Sequence, residues 1–532
     1  MNAFHNTGKL FRFALKRERV NSTLWILGLS LFSVGLALGM GKMFDDAARQ
    51  ALAITLNNPG IVAMMGPVYG AENYTVGAMY ANCMFQWVAI ASAVMNIFLV
   101  VRHTRTDEEN GCREFLAALP VGRLSGLSSA LLTAVTVNTA IGILHWLGIA
   151  MVGEASLTFG GCAIYGATMM MIGLVFAGVA AVFSQLCATS RGATGCSLGV
   201  MGAMYLLRAV GDMGNETLSV LSPLGLIQRT EVFTADKIYP VFVLLAEAAV
   251  LAAAAFILNA HRDFGQGYIP AKSGRKNAPK SLSSPFGLSL RLLKNSLLMW
   301  LAVMFVFAAA YGAVLGDIET FVAESPLYQQ IMGINGDYSA AMMFVSMVNS
   351  ILSLLCIAPV VSAVLKMQRE EKSGRLEYVL SRPVSRTDYL RSFQMLAVNT
   401  TVLLEVAAAL GLYAAAQAVL EESIPLSFFL KSILVYVPAI WVMIGLAVFL
   451  IGWFPKFTAA VWGYFGFSFF TCFLGRMLDL PKWLKALSPF YYVPQLPVDK
   501  PEILPLGTLT VIAAVLMLAG RLGFEKRDVQ SV

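Results

Sequence analysis

The chain has 532 residues, of which 58% are hydrophobic and only 13% charged, with a mean hydropathy of +0.70 and a formal net charge of +7. Soluble domains carry about 25% charged residues, so a water-soluble globular protein is excluded. The basic excess calls for no nucleic-acid partner, because membrane topology accounts for it.

At the N-terminus, KLFRFALKRERV places Leu10, Phe11, Ala14 and Leu15 on one helical face and turns Lys9, Arg12, Lys16 and Arg19 away from it. That is the pattern of a helix lying at a membrane interface. Twelve apolar runs of about 20 residues follow, each long enough to cross a ~30 Å hydrocarbon core. They cover approximately 24–42, 79–101, 127–152, 162–183, 195–210, 239–259, 297–315, 339–365, 394–418, 428–452, 458–475 and 504–520. Backbone in lipid must satisfy its own hydrogen bonds, so spans are helices or closed barrels; the short alternating segments of a barrel do not occur. The first run is too long for a signal peptide and no small-x-small site follows promptly, so it is expected to persist as a span. Before the seventh span, PFGLSLRLLKNS repeats the interfacial pattern, with Leu288, Leu292 and Leu293 on one face behind a proline suited to a helix start.

With twelve alternating spans and an inside N-terminus, 28 of the 38 Lys and Arg fall on one side. The positive-inside rule then puts both termini and the 102–126 and 366–393 loops in the cytoplasm of, we expect, a bacterial cell, the chain spanning its plasma membrane. Cys83, Cys112, Cys162, Cys187, Cys196, Cys356 and Cys472 are odd in number and form no CxxC pair. They read as small apolar side chains rather than disulfides or metal ligands. No metal site and no catalytic residue is expected.

The chain repeats itself. DEENGCREFLAALPVGR, from Asp107, returns 263 positions later as EEKSGRLEYVLSRPVSR, from Glu370. Glu108, Gly111, Glu114, Pro120, Val121 and Arg123 match Glu371, Gly374, Glu377, Pro383, Val384 and Arg386, and Phe115 faces Tyr378. Collinear echoes accompany them: VNT at Val137–Thr139 and Val398–Thr400, LSP at Leu221–Pro223 and Leu487–Pro489, and NS at Asn21–Ser22 and Asn295–Ser296. The expected architecture is an all-α membrane protein of two parallel six-helix repeats, each with an interfacial opening helix and a cytoplasmic coupling helix. The first half is placed at 1–264, a basic linker rich in Gly, Pro and Ser at 265–285, and the second half at 286–532. Asn138 and Asn399, inside the VNT echoes, are expected to hold helices together.

In each motif, a glycine permits a sharp turn and a proline ends a short helix. A merely solvated loop has little reason to repeat such placement; a docking surface does. The second copy resembles the EE-x-x-G-x-L-E…S-x-P-V-S-R signature of export-type ATP-binding cassette (ABC) permeases, where it joins the second and third spans and includes the coupling helix. Span count, opening helices, paired loops and HRDFGQGYIP after the sixth span make nearly the whole chain similar to fused twelve-span polyketide-antibiotic or multidrug exporters. The first copy departs at Cys112, Arg113 and Gly122. The resemblance implies ATPase docking by Glu108, Gly111, Glu114, Leu116 and Pro120 and by Glu371, Gly374, Glu377, Val379 and Pro383, with Arg123 and Arg386 anchored at the headgroups. Turns at Ser184–Gly192 and Phe454–Phe457 would add lesser contacts. It further implies re-entrant helices within Gly211–Lys237 and Arg476–Glu502.

No G-x-x-x-x-G-K-[ST] phosphate loop occurs. ATP and Mg are therefore expected on a separate ATPase subunit, in two copies, with this chain acting as the permease for hydrophobic or amphipathic compounds. Ionisable residues within spans are costly and mark cavities or helix contacts, which makes His145, Glu247 and Glu405 the candidates for touching substrate. The competing readings are an ion-coupled secondary transporter using Glu247 and Glu405, and a membrane anchor without transport.

Overall fold

The computed structural model describes residues 2–57, 59–263, 265–270, 276–317, 339–420, 423–473, 481–497 and 503–528. Among them the regular structure is helical, apart from one bridge between Cys187 and Ile269. The protein is an all-α membrane protein. Among the described residues, eleven helices are long and apolar enough to cross a bilayer. The difference from twelve lies at 458–475, where the described helix, Ala460–Phe473, has 14 residues, about 21 Å of rise; residues 474–475 lie outside the described ones.

The chain divides into two compact units, Met1–Gly274 and Arg275–Val532. In the first, α1 (Thr7–Met43), α2 (Val76–Val101), α3 (Cys112–Ala117), α4 (Ser125–Ala150), α5 (Phe159–Leu186), α6 (Ser190–Gly214) and α7 (Tyr239–His261) follow in order. In the second, α8 (Pro285–Ala313), α9 (Ala340–Lys372), α10 (Arg375–Leu380), α11 (Arg386–Val419), α12 (Leu426–Leu434), α13 (Val437–Trp453), α14 (Ala460–Phe473) and α15 (Ile503–Lys526) correspond. The opening stretches are not separate interfacial helices. Residues 7–43 form one unbroken helix, since no proline interrupts them. At 1.5 Å per residue it is about 55 Å long, so its basic first turns extend beyond the hydrocarbon.

Each unit keeps some helices inside and gives others to lipid. In the first unit α2 and α5 are central, with two-thirds of their apolar windows buried, against 22% for α1 and 17% for α7. In the second, α9 and α13 are central, while α8 and α15 lie outside along α11 and α13. Lipid is as apolar as leucine, so close packing and polar pairs hold such helices together. Gly142 and Gly166 bring α4 and α5 into backbone contact: a Cβ on Gly142 would lie 2.8 Å from the Gly166 carbonyl oxygen. Asn96 and Asn138 exchange amide hydrogen bonds of 3.0 and 2.6 Å. Asn399 does not repeat this role; it is exposed and bonds the Met395 carbonyl of its own helix. Before the last span of the first unit, short helices form at Glu216–Val220 and Pro223–Gln228, the latter capped by Ser222 of the LSP echo. The second unit has a short helix at Lys482–Lys485 and a 3-10 turn at Pro489–Tyr492; 476–480 and 498–502 lie outside the described residues.

Candidate functional site

Each unit projects a short lever from the end of its second span. In the first, α2 continues through a π-helical turn, Arg102–Thr106, and the turn Asp107–Glu109 to Gly111, after which α3 begins. In the second, α9 runs to Lys372, and α10 begins after Gly374. Gly111 sits at φ 71°, ψ −1° and Gly374 at φ 72°, ψ −4°. A Cβ would meet nothing within 4 Å at either position, so the left-handed backbone, and not lack of space, demands glycine. The turns match bond for bond. Gly111 N–H donates to the Glu108 carbonyl at 3.1 Å and Gly374 N–H to that of Glu371 at 2.9 Å. The helices end at Ala117 and Leu380, three residues before Pro120 and Pro383.

The acidic residues of the motif divide into two groups. Glu108 and Glu371 turn inward, with side chains only 5% and 3% exposed. Glu108 is held by Arg105 at 2.8 Å and by Arg262 at 2.5 Å. Glu371 accepts two bonds of 2.7 Å from Arg527. Arg262 and Arg527 stand where the last span of each unit ends. Arg123 and Arg386 close the arrangement, donating to the carbonyls of Arg262 and Arg527 at 2.7 and 2.9 Å. Glu108 and Glu371, expected at the ATPase, thus face inside, while the exposed Arg123 and the half-buried Arg386 reach inward to backbone carbonyls. A buried carboxylate needs a hydrogen-bonded cation, and the arginine ending the last span supplies it. The result is an ionic brace tying the ends of the second, third and last spans in each unit.

A second brace repeats beside the first. Arg105 donates to the Ala188 carbonyl at 3.0 and 2.6 Å, and Gln368 (263 positions later) donates to that of Pro455 at 2.5 Å. The turns 184–192 and 454–457 are thereby fastened to the lever bases. Glu109 also accepts from the Ser190 backbone at 3.0 Å.

Glu114, Pro120, Glu377 and Pro383 are exposed, and Leu116 and Val379 partly so. Between them stand two aromatic residues, Phe115 at 82% and Tyr378 at 79% exposure. Their exposure was not foreseen, although a hydrophobic ring in a polar helix outside the membrane is the signal to look for. The arginine of the brace was also missed. Arg262–Asp263 recurs as Arg527–Asp528 at an offset of 265, but a two-residue echo is too short to notice alone.

The three intramembrane candidates are divided between the two units, His145 and Glu247 in the first and Glu405 in the second. His145 on α4 is fully buried, its Nδ1 2.8 Å from the Ile141 carbonyl and its ring stacked on Tyr165 at 5.8 Å. Glu405 on α11 is fully buried in the other unit and accepts from Ser353 at 3.1 Å. Glu247 on α7 is half-buried, and its Oε2 has no partner among the described residues. None of them lines the cavity of about 290 Å³ beneath the first lever or that of about 230 Å³ between Ser350, Thr471 and Phe490.

Residues 8–258 and 282–525 match the family described as multidrug efflux system permease Rv1217c, C-terminal domain. The multidrug efflux system permease protein Rv1217c of Mycobacterium tuberculosis is 32% identical over 539 residues, spanning 99% of this chain and 96% of its own length. With a full-length match of that kind on a bundle of lipid-facing helices, the chain belongs to the multidrug efflux permease family.

Proposed function

We propose that this chain is the membrane subunit of an ATP-driven exporter of hydrophobic or amphipathic compounds, driven by a separate ATPase that docks in two copies on the levers. One observation carries this reading: two levers that share a left-handed glycine turn and a buried glutamate braced by the arginine ending the last span, each offering an exposed aromatic ring flanked by a glutamate. Aromatic side chains at the centre of a contact carry much of its energy. ATP and Mg sit on the partner, consistent with the missing phosphate loop. Closure of the ATPase pair pushes the exposed faces, and the inner braces pass the push to three spans at once. Such rigid-body motion between two states is how a cavity changes the side it opens to. The related permease's efflux of multiple drugs supports the cargo class. Charge bias supports a plasma membrane with cytoplasmic termini. Glu247 is the residue we assign to cargo contact; His145 and Glu405 serve helix packing.

The test is to co-express the chain with candidate ABC ATPases from the same genome and purify the complex. The Phe115→Ala/Tyr378→Ala pair is then compared with wild type for co-purification and for ATP-dependent efflux in inverted vesicles. Each truncation is expected to weaken assembly by about 2 kcal/mol, roughly 30-fold in affinity. Efflux that needs no ATP but stops when the proton or sodium gradient is collapsed would instead establish the ion-coupled reading.

A further inference from the structure

One buried pair differs sharply in chemistry between the two levers. In the second unit, Leu376 of α10 and Tyr389 of α11 are 0% and 1% exposed and fill the lever's underside with apolar atoms. The corresponding residues of the first unit, 263 positions earlier, are Arg113 and Gly126. Arg113 is 9% exposed and lies across Gly126, where any Cβ would collide with the guanidinium. A bulky apolar pair has been replaced by a cation and the space to hold it.

That cation has no hydrogen-bond acceptor among the described residues. Its neighbouring acids are engaged: Glu108 by Arg105 and Arg262, and Asp107 by Arg17 at 2.9 Å. Desolvation pulls the Arg113 pKa below the ordinary guanidinium value, yet an arginine stays charged in proteins. A largely buried charge without a paired acid is unfavourable, which favours an anion beside the guanidinium.

Arg113 faces the cavity of about 290 Å³ beneath the lever. Leu10 and Phe13 of α1 and Leu116 of α3 supply apolar walls, and Ser129 of α4 closes its base. The volume is at the small end of ligand sites, suited to a headgroup rather than a whole amphiphile. α1 is the helix whose basic first turns leave the bilayer, and Phe13 and Val20 on it are 59% and 62% exposed. An anionic group here would have a hydrocarbon surface beside it.

We infer that this cavity binds the phosphodiester of an anionic membrane phospholipid on Arg113, with the acyl chains running along the outer face of α1. Occupancy supplies a countercharge to Arg113 and fixes the first lever against α1 and α4. The second lever, with Leu376 and Tyr389 in place, needs no lipid.

The experiment compares wild type with Arg113→Leu/Gly126→Tyr, which installs in the first unit the pair that the second unit already accommodates, its melting curve without added lipid reporting whether it folds. Arg113→Lys serves as the charge-retaining control. Native mass spectrometry and thermal melting are run on detergent-purified full-length chain with phosphatidylglycerol, phosphatidylcholine or inorganic phosphate. The wild type is expected to retain one phosphatidylglycerol about tenfold better than phosphatidylcholine and to be stabilised by it. Arg113→Lys keeps that preference, and the double variant loses it. An unchanged preference in the double variant overturns the inference. So does equal stabilisation of wild type by inorganic phosphate, which would make the site one for free anions.

Discussion

The first and second levers share their mechanics and differ in their surroundings. Both turn on a left-handed glycine, both bury a glutamate against the arginine that ends the last span, and both fasten that arginine's carbonyl with the closing arginine of the motif. Around this shared frame the first lever is wrapped by the chain's opening residues. Gly122 N–H donates to the His5 carbonyl at 3.0 Å, Leu124 N–H to that of Ala3 at 2.9 Å, and Asn6 to that of Pro120 at 2.7 Å. The second lever has instead a serine at the position of Gly122, and Ser385 caps α11 by accepting from Asp388 N–H at 3.0 Å. What both copies keep is the part that transmits force. What they vary is how each is held at rest.

The braces give the largest expected contrast. Among the described residues Glu371 is paired with Arg527, whereas Glu108 has both Arg105 and Arg262. Removing the cation from a buried pair costs about 3–5 kcal/mol. Arg527→Ala should therefore lower the thermal midpoint sharply and reduce efflux at least tenfold, with Arg262→Ala markedly milder. The exchange Glu371→Arg/Arg527→Glu should recover most of the loss. Equal damage from the two alanine variants would erase the distinction between the units.

Next in size is Gly122→Ser. A Cβ at Gly122 would meet the backbone of Ala3 and His5, so the substitution forces the opening residues off the lever. At about 1 kcal/mol for each hydrogen bond lost, partly offset by water, we expect roughly 2 kcal/mol of destabilisation. Faster proteolysis within the first six residues would report the release directly; an unchanged cleavage rate would show that the strap is no constraint.

The hinge glycines test the likeness of the levers rather than their difference. Gly111→Ala and Gly374→Ala should each cost about 1 kcal/mol, the penalty of a left-handed alanine, and the two should agree because neither Cβ meets a neighbour. The comparison of their melting curves fails if one is silent.

The membrane class, the levers and the glycine turns were legible because each rests on local sequence: hydropathy, a repeated glycine, a proline. The direction of the glutamates was not. Glu108 and Glu114 look alike in the motif, yet one is buried and the other exposed, because an arginine 154 residues further along the chain reaches only the first. The same reason hid the role of Arg123 and Arg386, whose acceptors are backbone carbonyls and leave no sequence signal. His145 and Glu405 stood out as costly intramembrane groups, but whether such a group faces a cavity or a neighbouring helix depends on rotation about the helix axis, which near-uniform hydrophobicity leaves unspecified.

The smallest effect belongs to the second lever's own device. Ser385 contributes a helix cap, and replacing a capping serine by glycine costs only a few tenths of a kcal/mol. Ser385→Gly, which places the first lever's residue in the second, should therefore leave the melting midpoint within about 1 °C of wild type, a small shift for a chain this long. Its mirror image, Gly122→Ser, is several times more disruptive by the steric argument above. That asymmetry is the point of the pair. A serine at this position is a cap in one unit and a collision in the other, because only Gly122 has the backbone of Ala3 and His5 lying against it. Should Ser385→Gly prove as damaging as Gly122→Ser, the bonds of Ser385 to Asp388 N–H, the Asp388 carboxylate and Thr387 would be carrying a constraint on α11 beyond that of a helix cap.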